Sequence, residues 1–278
     1  MPFRIKLALA GLVIALTVIA SWSNSDRIYT WYSRFWHVTA RGETAFSALQ
    51  QLREERKRFE NEKAKIANRA AREEFIHDSD LSFTRQLDMM IRVHVPSPVS
   101  SPEMSEDQKE LCRYAGLWYL EQKETIKGCR LIFRTVGTLV GRDEIVPFTT
   151  ALDALFAEKM YSDLVFEAAE RRFDPADEGY PLRISVYYRY GVSLYYLKRY
   201  KEALVQLQSA ANAGYPEDEL SYYMAESLKE LRRVNEAIPW AEKACASSPR
   251  DRRFRALLVS LYNADGRRKD AERASRGN

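Results

Sequence analysis

The chain has 278 residues, 46% of them apolar and 29% charged, an ordinary globular balance with ample length for one or two domains. Its net charge of +4 sits in the tail: residues 250–278 carry nine Lys or Arg against four Asp or Glu, and the rest is balanced. That distribution excludes the broad basic face of a dedicated nucleic-acid binder, and low Gly and Pro counts (11 and 10) beside runs of Ala, Leu, Glu, Lys and Arg favour helix.

The first element is a membrane signal. Arg4 and Lys6 precede sixteen residues, Leu7 to Trp22, without a charge. That length is long for the core of a cleaved signal peptide and short for a spanning helix. Small residues at Val18 and Ala20 would allow cleavage after Ala20. The next segment favours retention, because Ile28, Trp31, Tyr32, Phe35 and Trp36 fall on one helical stripe. With Trp22, these aromatic rings suit the headgroup level of a bilayer. Residues 1–41 are therefore expected to be an uncleaved anchor with an interfacial segment. The alternatives are a stripe packed on the soluble part, a cleaved, periplasmic product, and an anchor whose domain faces the cytosol. The charge bias places the N-terminus in the cytoplasm and the large domain across the membrane, the bacterial periplasm if the cell is bacterial.

Residues 42–94 are expected to form a charged helical stalk. Within it, residues 42–75 contain no Pro and no internal Gly, and interleave eight Lys/Arg with seven Asp/Glu. A heptad register through Ala45, Leu52, Phe59 and Ile66 leaves Arg56 and Lys63 at partner positions. Self-association through this helix and a single helix leaning on a neighbour both remain open. Residues 95–107 hold three prolines and four serines and read as a linker.

From residue 108 to 278 the sequence repeats. Ala203, Ala237 and Ala271 are spaced by 34 residues, Gly191 and Ala225 precede the first two by twelve, and Pro216 and Pro249 close two units. Small residues are needed where the two helices of a hairpin cross closely, and Pro ends the second helix. Upstream, residues 156–173 align Leu164 with Ala203, and residues 111–133 bring Gly116, Tyr119 and Gly128 in the same order, at irregular intervals of 36 and 39. Ser221 and Arg255 depart from the pattern, standing where it prefers an aromatic.

This pattern resembles the tetratricopeptide repeat (TPR). The resemblance implies an all-α fold for this part, a short α-solenoid of helical hairpins, about five here, with a concave surface; the expected transmembrane helix and the stalk precede it. It further implies that the first helix of each pair lines a groove for an extended peptide or partner helix. By position, that groove would be lined by Tyr188, Val192, Tyr195, Tyr196, Tyr222, Glu226 and Lys229. Ten of the sixteen tyrosines lie between Tyr180 and Tyr223, and tyrosine suits binding surfaces as well as cores. The basic tail reads as a solvated capping helix.

Chemistry is sparse. No phosphate-binding Gly loop, nucleophile elbow or His–Glu zinc motif occurs, and the three histidines are scattered. No enzyme, cofactor or metal is therefore expected, and no Cys pair has zinc-site spacing. Cys112 and Cys129, on successive predicted helices, either bridge in an oxidising compartment or stay as buried thiols. The expected function is a membrane-anchored scaffold or adaptor that docks a partner protein in a cell-envelope assembly: secretion, pilus, flagellar motor or cell wall. The alternative is a chaperone-like or import receptor that holds client peptides in the groove.

Overall fold

The computed structural model describes residues 44–96, 103–173 and 180–276. The apolar run 7–22 and the aromatic residues Trp22, Trp31, Tyr32, Phe35 and Trp36 lie outside the described residues. Among those described, no helix is long and apolar enough to cross a membrane. The chain divides into two compact units, Met1–Leu111 and Cys112–Asn278.

In the first unit the expected continuous stalk is two helices, α1 (Ala45–Lys65) and α2 (Arg69–His94). Residues 66–68 break the run, although no Gly or Pro marks the place. Asn68 supplies the reason: its side-chain oxygen accepts from the backbone N–H of Ala70 and Ala71, at 2.9 and 3.3 Å. It starts a new helix by satisfying donors that the first turn would leave unbonded. Thr44 caps α1 in the same way. Phe59 then stacks on Phe75 with ring centroids 5.4 Å apart, and Arg56 reaches Asp80 at 3.2 Å. Phe59 and Arg56, two heptad positions of α1, thus meet α2 within the chain. The buried residues, Ala45, Ala48, Leu49 and Leu52 on α1 and Phe83, Leu87 and Met90 on α2, follow helical spacing. The linker is also shorter than expected, since α3 (Glu106–Glu121) begins inside it.

The second unit takes up α3 from Cys112 and continues through α4 (Thr125–Phe133), α5 (Arg142–Ala157), α6 (Tyr161–Ala169), α7 (Tyr180–Tyr196), α8 (Tyr200–Asn212), α9 (Glu217–Glu230), α10 (Val234–Ser247), α11 (Arg252–Ala264) and α12 (Arg268–Arg276). These pair as five hairpins. All five use one turn. Lys123, Lys159, Lys198, Arg232 and Gly266 occupy the left-handed region, with φ of 62°, 58°, 61°, 59° and 78°. In the α7–α8 turn, the Arg199 N–H donates to Leu194 O and the Lys198 N–H to Tyr195 O, both at 2.9 Å. That pair of bonds closes the orphan carbonyls at a helix C-terminus, and the other four turns repeat it.

The small residues do what their spacing predicts. A methyl at Gly191 would lie 2.7 Å from Leu207 Cγ, and one at Gly116 2.5 Å from Ile132 Cγ1. The irregular intervals arise between hairpins. There β1 (Leu139–Val140) pairs in parallel with β2 (Arg172–Phe173), a two-residue pairing that an all-helical reading omits.

Cys112 and Cys129 are not bridged. The close approach of Gly116 and Gly128 fixes how α3 and α4 pair, while Cys129 turns instead towards α5, its Sγ 3.5 Å from Ala151 O. Burial raises the Cys112 thiol to about 11 and the Cys129 thiol to about 12, so both stay protonated. They are apolar packing residues.

Candidate functional site

The tyrosines of α7 and α9 are stitched into one aromatic layer. Tyr196 stacks flat on Tyr161 at 4.6 Å, and its hydroxyl lies 3.0 Å from that of Tyr223. Tyr195 meets Tyr196, Tyr200 and Tyr223 at 5.4, 5.7 and 5.4 Å. Tyr222 packs on Tyr223 at 5.2 Å and stacks on Phe254 at 5.1 Å. Tyr188 stacks on Tyr215 at 4.2 Å and meets Tyr223 edge-on at 6.4 Å. The layer runs from Tyr161 on α6 to Phe254 on α11, across four hairpins, and Tyr223 is its hub. Each such ring pair adds about 0.5–1.5 kcal/mol beyond the area it buries.

The predicted groove residues divide by burial. Val192 is fully buried and Tyr188 nearly so, both in a cluster with Leu220, Tyr223 and Met224 of α9. The groove lining expected from Val192 is therefore corrected: α9 packs over it and leaves it no surface for a ligand. Tyr195, Tyr222 and Lys229 are half-buried, Tyr196 keeps 46% of its surface exposed, and Glu226 only 8%. Glu226 is ion-paired with Lys229, one turn along α9. Tyr195, Tyr196, Tyr222 and Lys229 thus share an accessible or half-buried strip, Tyr188 and Glu226 lie just beneath it at 9% and 8% exposure, and Val192 is fully buried.

The strip also holds residues the spacing did not single out. Tyr223 stands beside an expected position rather than on one. Tyr161 and Tyr200 each open the second helix of a hairpin, an equivalence visible once the turns are aligned. Burial first, and then the charges of Glu226 and Glu230 with the neighbouring phenols, push the Tyr195 hydroxyl above its ordinary range. Tyr200 moves the same way through desolvation and Glu230. Tyr222 rises to about 12 through burial and then Glu226. These phenols are protonated donors at neutral pH, not bases or nucleophiles.

Ion pairs between hairpins flank the strip. Arg189 of α7 reaches Asp153 of α5 at 2.6 Å, and Arg253 of α11 reaches Glu219 of α9 at 2.6 Å. Arg253 also lies over the rings of Tyr222 and Phe254, at 5.6 and 5.3 Å. Elsewhere, an open hollow of about 730 Å³ at the α3–α4 turn is lined by Lys123, Lys127 and Arg130 with Glu124 and Glu158, nearly matched charges that define no ligand.

No protein-family model matches the chain, and no curated protein does. Among solved structures, a double mutant of MamA RS-1 aligns with a TM-score of 0.50 at 17% identity, over 63% of this chain and 94% of that one. MamA from residue 41 onward of Desulfovibrio magneticus RS-1 gives a TM-score of 0.49 at 18% identity, over 63% and 94%. A thermophilic TPR protein of Thermus thermophilus gives 0.33 at 10%, over 69% and 94%. Together with five hairpins closed by one repeated turn, the first likeness, one of fold alone, makes this a TPR-like array of helical repeats.

Proposed function

We propose that the chain is a non-catalytic scaffold that docks a partner protein on the α7–α9 face while its N-terminal segment tethers it to a membrane, in an assembly of the cell envelope. The observation that carries the docking face is the tyrosine layer. Rings locked to one another across four hairpins present Tyr196 at 46% exposure on a rigid support. Rigid aromatic area with a polar tip loses little entropy on binding. The tether is supported by the uncharged run 7–22 and the aromatic residues that follow it.

The test is purification of the tagged full-length protein in mild detergent, with quantitative mass spectrometry of what accompanies it. One or a few proteins at fixed ratio are expected. Tyr196→Ala combined with Tyr222→Ala should release them while helicity is kept; retention by that pair removes the docking face. A long series of substoichiometric clients would instead favour the receptor reading. A mature N-terminus at Ser21 would remove the tether.

A further inference from the structure

The strip around Tyr195 joins aromatic walls to carboxylates. Tyr195 and Tyr200 pack 5.7 Å apart, Glu226 lies beside Tyr222 and Glu230 beside Tyr200, and two cations border the group, Lys229 on Glu226 and Arg253 over the Tyr222 ring. The Glu226 side chain is only 11% exposed, and a charge buried that far is costly unless it is paired. Its partner comes from the same helix, and the Lys229 side chain keeps 34% of its surface in water. The anion is fixed by packing, whereas the cation is the replaceable half of the pair. Glu230, also on α9, is exposed.

The same aromatic layer already accepts a cation at its edge, where the Arg253 guanidinium lies over Tyr222 and Phe254. Aromatic faces attract cations most strongly where water is partly excluded. Anionic oxygens beside aromatic walls therefore describe a seat for a positively charged side chain, with one resident already in it.

We propose that this strip takes a lysine or arginine side chain from a basic segment of the partner, which replaces Lys229 at Glu226 and lies against Tyr195 and Tyr200. The proposal rests on the α7–α9 face being the docking surface. It names the chemistry of the occupant: a cationic peptide rather than an acidic one.

The probes are fluorescent hexalysine and hexaglutamate, titrated into the full-length protein in detergent and read by anisotropy. Hexalysine should bind and hexaglutamate should not, although a net charge of +4 favours the opposite order at long range. Glu226→Gln should weaken hexalysine about tenfold or more. Lys229→Ala should tighten it several-fold by emptying the seat, whereas Lys201→Ala, the same charge change at an exposed position of α8, should leave it unchanged. If the two lysine variants act alike, the attraction is diffuse and the proposal fails. It fails equally if hexalysine does not bind. Should Glu226→Gln misfold by circular dichroism, Tyr195→Leu takes its place and must weaken binding. A strip that ignores hexalysine, yet loses its partner on Tyr196→Ala with Tyr222→Ala, overturns the basic-peptide proposal alone. A partner retained by that pair overturns the docking face as well.

Discussion

Gly266 offers a clean measurement of what the repeated turn demands. It holds φ of +78°, and a methyl built on it meets no heavy atom within 4 Å. Gly266→Ala therefore probes the backbone alone. A left-handed conformation costs an L-residue about 1–2 kcal/mol, and the stiffer unfolded chain returns roughly 0.4–1 kcal/mol. A net loss of about 1 kcal/mol is expected. The other four turns place Lys or Arg in the same conformation, with φ between 58° and 62°. Lys198 and Arg232 are exposed there, so Lys198→Gly and Arg232→Gly should each gain up to about 1 kcal/mol. Asn tolerates the region better than Lys, and Lys198→Asn should fall between the two. Urea unfolding of the full-length protein, followed by far-UV circular dichroism, reads the effect as a midpoint shift of roughly 0.3–1 M per kcal/mol at unchanged slope. A neutral Gly266→Ala, or a destabilising Lys198→Gly, would falsify the claim that conformational strain rather than side-chain chemistry limits these turns.

Ser193 and Ser227, 34 residues apart, are fully buried and their hydroxyls have no hydrogen-bond partner among the described residues; Ser193→Ala and Ser227→Ala should each raise stability by about 1 kcal/mol, and a loss on thermal melting would mean the hydroxyls do find partners. Gly191→Ala would press a methyl to 2.7 Å from Leu207 Cγ and 3.1 Å from its backbone nitrogen. It should cost about 1–3 kcal/mol despite the better helix propensity of Ala, so a raised melting temperature would refute close helix crossing there. The phenols of Tyr222 and Tyr262 stay protonated up to about 12, chiefly through burial, helped by Glu226 and Glu242, whereas unfolded tyrosines ionise near pH 10. Their contribution is complete below about pH 10 and is lost as pH climbs towards 12. Tyrosinate absorbance should therefore appear together with loss of helicity, and early titration of all sixteen tyrosines in a still-folded chain would contradict this.

The periodic part of the architecture was legible because it is local. A small residue every 34 positions marks helix crossings that follow from one hairpin's own geometry, and Leu164, Gly116 and Gly128 extended it into the irregular units. The break at 66–68 was hidden because its signal is one asparagine inside a charged run that also suits a continuous helix. Val192 was misplaced for another reason. Whether its helix face is open or covered depends on how closely the next hairpin packs, and Tyr223 and Met224 close over it. The pairing of Tyr195 and Tyr200 with glutamates of α9 likewise depends on packing between hairpins, which no single repeat encodes.

The last hairpin carries a consequence for how the molecule opens. Helix α12 buries one residue, Ala271. A helix held by so little buried surface opens first, at a free energy well below that of global unfolding. Amide protons of residues 268–276 should then exchange with solvent long before those of α7 and α9, where the ring layer sits. A protease sampling these openings would cut within α12 and leave the tyrosine face assembled.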